Sequence, residues 1–157
     1  MALLIKGKDV KDGSAIVNLQ SGQMATKFVY GAECNLMVAT RAGGYHSKPH
    51  THDSEQLNYV TDGEIWVFVN ETGFLAQKGD FYRVPKNAVH WGWIKSDKPC
   101  TIVECHSPAV EPGRRKNSVG LFDDGEAEDT SKAVPTVNVE IDTAKIEAKV
   151  LGAAHAE

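Results

Sequence analysis

Between Gly43 and Glu64 the chain reads GGYHSKPHTHDSEQLNYVTDGE, which places three of its six histidines within seven residues. In a strand alternate residues share a face, so His50 and His52 point the same way. If the strand stays regular, Gln56 and Asn58 join them, while Thr51, Glu55 and Tyr59 point the opposite way. Two convergent imidazoles need only one or two further donors to hold a metal, and imidazole suits Fe, Mn, Ni, Zn and Cu alike. The next donor should come from another strand, and GDFYRVPKNAVHWGW offers His90 just after a Pro–Asn turn. An oxygen from Gln56 would complete the set. A β-bulge would reverse the parity and bring in Glu55 instead.

Strands are the elements that must position these residues. KFVYG, CNLMVAT, QLNYV, EIWVFVN, FLAQ, DFYRVP, HWGWI and CTIVECH are short runs rich in β-branched and aromatic residues, and SAIVNLQ precedes them. Gly, Asp, Asn and Pro separate them at regular intervals. Such spacing predicts an all-β antiparallel sandwich or barrel. If the histidine segment lines a small barrel, one of its faces is the interior. After Pro108 the chain becomes charged and turn-rich. The expected division is a barrel over residues 1–110 and an irregular extension over 111–157, in which TVNVEI could add an edge strand. DTAKIEAKVLGAAHAE reads as a short helix, with Asp142 or Thr143 as its N-cap.

Composition narrows the function. The chain has 157 residues, 41% of them hydrophobic and 24% charged, enough for one domain with one core. Its formal net charge is −4 with no Lys/Arg block, which argues against nucleic acid as a partner. The apolar run in MALLIKGKDV is too short for a signal segment, and no window has the length of a membrane span. Cys34, Cys100 and Cys105 are odd in number and form no Cys-x-x-Cys pair, which suits free thiols in the cytoplasm.

Taken together, the two histidine segments resemble the motifs of the cupin superfamily of small β-barrels. Its first motif runs Gly, His-x-His, Glu, Gly, and here Gly44, His50, His52, Gln56 and Gly63 hold those places. Its second motif runs Gly, Pro-x-Gly, His, Asn, and here they fall on Gly79, Pro85, Asn87, His90 and Ile94. The resemblance spans about Asn35 to Ser107 and implies a jelly-roll, or double-stranded β-helix, barrel. It also implies one divalent metal ion on His50, His52, His90 and the residue at the Glu place, which is Gln56. Asn87 stands where the family has a turn Gly, which Asn tolerates. Ile94 replaces a closing Asn at a fold position. Gln56 is the consequential departure, because a neutral amide leaves the metal's charge uncompensated.

Further pocket candidates are Asn58, by parity, and Tyr45, His46 and Arg83, the last as an anchor for a carboxylate. His106 reads as a rim residue near the end of the last strand, and His155 as a solvated residue of the tail. The resemblance implies a small-molecule substrate and a homodimer. Family frequency and the aromatic-rich strands point first to a dioxygenase acting on a small enolisable or aromatic substrate. A non-redox isomerase or lyase acting on a carbonyl or sugar acid comes next, and a non-catalytic small-molecule binder third.

Overall fold

The structure is a computed structural model that describes residues 4, 6–10, 13–15, 24–110, 119–120 and 133–154. His155 and most of the charged stretch after Pro108 lie outside the described residues, as do residues 16–20 of the first expected strand. Two sheets face each other. The first carries β1 (Gly13–Ala15), β2 (Met24–Tyr30), β3 (Asn35–Arg41), β10 (Cys100–Ser107), β5 (Glu55–Asp62) and β8 (Phe81–Val84), in that order. A short β11 (Val119–Gly120) runs parallel to β2. The second carries β12 (Thr136–Asn138), β4 (His50–His52), β9 (His90–Trp93), β6 (Glu64–Val69) and β7 (Thr72–Gln77). From β4 onward the chain passes repeatedly from one sheet to the other, and the remaining pairings are antiparallel. This is a jelly-roll barrel closed by two sheets.

Between the sheets the interior changes character along the strands. At one end Tyr45, Val60, Ile65, Val67, Ala76, Ile94, Cys100 and Ile102 form the apolar core. Burial on β5 and β10 alternates strictly, and the inward residues become polar toward the other end: Asn58 and Gln56 on β5, Glu104 and His106 on β10. Register places Glu104 opposite Asn58 and His106 opposite Gln56. One end of the barrel is therefore a plug and the other a polar chamber. Ile94, wholly buried, belongs to the plug.

The outer faces differ as well. The α-helix α1 (Thr143–Ala154) starts at Asp142, whose Oδ1 accepts the Lys145 backbone N–H at 3.2 Å. It packs on the outer face of the second sheet, over Phe68 and Trp91, whose rings stack at 5.0 Å. Gly73 is required there, because a Cβ would stand 2.8 Å from Phe68 and 2.9 Å from Val150. Buried Glu147 accepts from Trp91 Nε1 at 2.8 Å, so the one polar group of that helix face is satisfied. TVNVEI forms the edge strand β12 with only its first three residues, paired to the histidine strand β4. No comparable cover lies over the first sheet among the described residues. Its outer face shows Leu36, Val38, Leu57, Tyr59 and Phe81, the last 79% exposed.

Candidate metal centre

The histidine segment is not one continuous strand. His50–His52 lies in the second sheet and Glu55–Asp62 in the first, with the chain turning between the sheets at Asp53 and Ser54. His50 and His52 face Gln56 across this corner, so simple parity through the segment does not describe it. Parity does hold within β5, where Gln56 and Asn58 are buried. Glu55 is on the outer face, 3.2 Å from Arg83.

The second turn is tied to the first. Asn87 sits in the left-handed conformation, φ 62°, in the place of a turn glycine. Its backbone N–H donates to the His52 carbonyl at 3.0 Å, and its side-chain amide donates to Asp53 at 2.9 Å. Three residues later His90 enters β9 in register with His50. Ligand atoms of His50, His52 and His90 lie within 4.8 Å of one another.

Hydrogen bonding fixes the state of each ring. The Nδ1 atoms of His50, His52 and His90 lie 2.8, 2.9 and 3.0 Å from the carbonyls of Lys48, Ser54 and Ala88. A carbonyl only accepts, so each Nδ1 carries the proton and each Nε2 presents a lone pair. His90 Nε2 is buried and has no partner among the described residues. Gln56 is fixed by the same reasoning. Its Nε2 donates to Asn58 Oδ1 at 2.7 Å and to Glu104 Oε2 at 3.1 Å, which turns its Oε1 toward His52 Nε2 at 3.3 Å. Two lone-pair atoms facing each other do not form a hydrogen bond. Four acceptors thus converge with no proton among them, and a cation satisfies such a set. These residues fit a divalent metal ion.

Burial favours the neutral, ligating form of His90 and His50. It pushes His90 down to about 2, with neighbouring His50 adding to the effect. His50 is lowered as well, chiefly by burial, against the pull of the Lys48 carbonyl.

His106 is not a rim residue. It is 4% exposed and faces His52 with ring centroids 5.4 Å apart. Asn35 Oδ1 accepts the Val110 N–H at 2.9 Å, so its Nδ2 donates to His106 Nδ1 at 3.2 Å. The His106 proton is therefore on Nε2, 4.0 Å from Glu104 Oε2. His106 has the opposite tautomer to the three ligand candidates and faces the chamber as a donor. Burial, then His52, pushes it down to about 3.

Three pocket candidates, Arg83, His46 and Tyr45, fall elsewhere. Arg83 opposes outward-facing Leu57 and is 62% exposed, so it anchors nothing in the barrel. His46 stacks on Trp93 at 5.0 Å and bonds Glu147 at 2.8 Å, which makes it part of the helix dock. Tyr45 is buried in the apolar core, beneath the guanidinium of Arg41 at 5.5 Å. Asn58 lies inside, bonded to Gln56 and to the Tyr82 carbonyl at 3.4 Å. Arg41 itself escapes notice in the sequence. It sits in the inward series Asn35, Met37, Ala39, Arg41 of β3 and pairs with buried Glu104. Burial, the largest single influence, would lower its pKa, but Glu104 together with Tyr45 and Tyr82 raises it.

No helix among the described residues is long and apolar enough to cross a membrane. No curated protein sequence matches the chain. Solved structures do. The polyketide cyclase RemF from Streptomyces resistomycificus superposes with a TM-score of 0.64 at 13% identity, covering 95% of this chain and 93% of that one. An RmlC-like cupin from Shewanella frigidimarina gives 0.57 at 20% identity, covering 71% and 95%. A sugar phosphate isomerase from Silicibacter pomeroyi, itself of the cupin superfamily, gives 0.57 at 14% identity, covering 66% and 74%. At these identities the likeness is one of fold. Residues 36–106 match the cupin domain model, Cupin_2, over the stretch that holds both histidine segments. Residues 36–106 thus form a cupin domain, and the barrel around them has the cupin fold.

Proposed function

We propose that this cupin is a metal-dependent enzyme that works without redox change, an isomerase, lyase or cyclase acting on a small carbonyl-bearing substrate. The observation that carries the reading is the set of four neutral acceptors, His50, His52 and His90 Nε2 with Gln56 Oε1, held with no proton among them. A divalent ion on these atoms would act as a Lewis acid toward a substrate oxygen, and neutral ligands leave that acidity at its strongest. The chain's own residues supply the rest. His106 Nε2–H is a donor facing the same chamber, and the Gln56 amide is kept in orientation by Asn58 and Glu104. The apolar plug closes the far end of the chamber to water. Two of the structural neighbours bear the names polyketide cyclase and sugar phosphate isomerase, an analogy that points the same way.

A dioxygenase is the second reading, since three imidazoles with open positions also suit oxygen-activating metals. Beside family frequency, the argument for it is the aromatic-rich strands, among them the one that follows the second turn. Trp91 lies on the outer face of its sheet beneath α1, and Trp93 stacks on His46 at the same dock. Neither lines the chamber, which puts the non-redox reading first. The test is metal analysis, followed by proton NMR and oxygen-uptake assays on small enolisable carbonyls and sugar acids, with the metal exchanged. Turnover that persists under argon with zinc or nickel is the expected result. Turnover that stops without oxygen would promote the dioxygenase.

A further inference from the structure

Among the described residues the barrel interior holds one permanent cation, Arg41, and its hydrogen bonding is incomplete. Arg41 stands opposite Cys100 in the sheet, yet its side chain reaches Glu104, which stands opposite Met37. One arm of the guanidinium, Nη2, is spent on Glu104 Oε1. The other, Nη1, is buried with no hydrogen-bond partner among the described residues. A buried donor left unmatched costs about 1–3 kcal/mol, and a guanidinium forms its strongest bonds to planar carboxylates. A short chain of contacts ties this guanidinium to the histidine triad. From Glu104 it passes to Gln56 Nε2 at 3.1 Å, and from Gln56 Oε1 to His52 Nε2 at 3.3 Å. Only two side-chain end groups separate the guanidinium from the histidine triad.

Charge supports the same assignment. Among the described residues the buried carboxylates are Glu104 and Glu147, and Glu147 lies outside the barrel under α1. Glu104 is already matched by Arg41. With four neutral donors, a bound dication would leave the chamber with its full positive charge. An acid group on the substrate supplies the missing counter-charge, and Arg41 supplies its seat. Phosphate fits less well, because its extra charge would crowd Glu104 on the neighbouring arm.

We propose that Arg41 binds the substrate's acid group, so that the substrate is a small carboxylic acid with its carboxylate on Arg41 Nη1 and a second oxygen facing His50, His52 and His90. The second half of this assignment rests on the metal-dependent reading above; the seat on Arg41 does not. The test titrates oxalate, malonate, succinate and glutarate, with inorganic phosphate alongside, into metal-free and zinc-loaded protein by calorimetry. Wild type should bind at least one dicarboxylate, and the neutral diamide of the best binder should not bind. Glu104→Gln frees the second arm and should tighten that dicarboxylate at least threefold. Adding Arg41→Gln to it, a change that leaves no unmatched buried charge, should weaken it at least tenfold relative to Glu104→Gln alone. Opposite effects from the two sides of one ion pair are not what a structural role gives. Absence of dicarboxylate binding in both forms of the wild type overturns the proposal. So does equal affinity in the single and double variants, or phosphate binding more tightly than every dicarboxylate. If zinc fails to bind while metal-free protein still shows the Arg41 dependence, the metal-dependent reading fails and the seat stands.

Discussion

The two sheets of this barrel are built for different work. The second presents His50, His52 and His90 inward, each anchored through Nδ1 to a backbone carbonyl within two residues of itself. Its donors are aimed by local backbone and need nothing from across the barrel. The first presents Arg41, Gln56, Asn58, Glu104 and His106, which are oriented almost wholly by one another and by Asn35. The second sheet carries the three imidazole ligand candidates, and the first carries the fourth candidate, Gln56, together with charge and protons. Their outer faces repeat the asymmetry, since α1 covers the second sheet while no described residue covers the apolar face of the first.

Acid should reveal the difference on the largest scale. Burial holds His90 near 2 and His106 near 3, against about 6.5 in the unfolded chain. Below pH 6.5 the unfolded state binds more protons than the folded one, so stability falls as pH falls through that window. Above it these groups contribute no pH dependence. Each histidine should add a slope of about 1.4 kcal/mol per pH unit in chemical unfolding of the metal-free protein between pH 6 and 4. His106→Gln should remove roughly one histidine's share. A flat profile over that range would mean the rings are not buried as described.

Next in size is the cover of the second sheet. Glu147→Ala leaves Trp91 Nε1 buried without its acceptor and should cost about 1–3 kcal/mol, read as a lower midpoint in denaturant. For the first sheet we propose a second copy of the chain as the cover, packed through Leu36, Val38, Leu57, Tyr59 and Phe81. Light scattering at micromolar concentration should give a dimer, and Phe81→Glu a monomer with unchanged circular dichroism. A monomeric wild type would reject that pairing.

The smallest expected effects sharpen the corner between the sheets. Glu55→Gln, on the outer face, should leave metal affinity unchanged, whereas Gln56→Glu should tighten it about tenfold by adding a charge at the same reach. Metal loss on changing Glu55 would place the wrong residue inside.

The two sheets were not equally legible in the sequence. The ligands of the second sheet could be read from it, because His50, His52, Asn87 and His90 act through local turns that leave a spacing behind. Period-two burial on β5 and β10 was also legible once a barrel was assumed. What could not be read was register. Arg83 faces outward because it opposes Leu57, and His106 faces inward in a tautomer set by Asn35, 71 positions earlier in the chain. The change of sheet at Asp53 and Ser54 also has no mark in the alternation. Arg41 did leave a signal, an unbroken inward series from Asn35, that becomes significant only beside Glu104.

The claim on which the account rests is that the three Nε2 lone pairs and Gln56 Oε1 form one metal site. Its most direct test is X-ray absorption on protein purified without chelators and reconstituted with one equivalent of zinc, compared with His50→Ala and His90→Ala. The account predicts one ion per chain with three imidazole nitrogens and an oxygen in the wild type, and at least a hundredfold loss of affinity in either folded variant. Full zinc stoichiometry in both variants, or a wild-type coordination shell without three imidazoles, would contradict it.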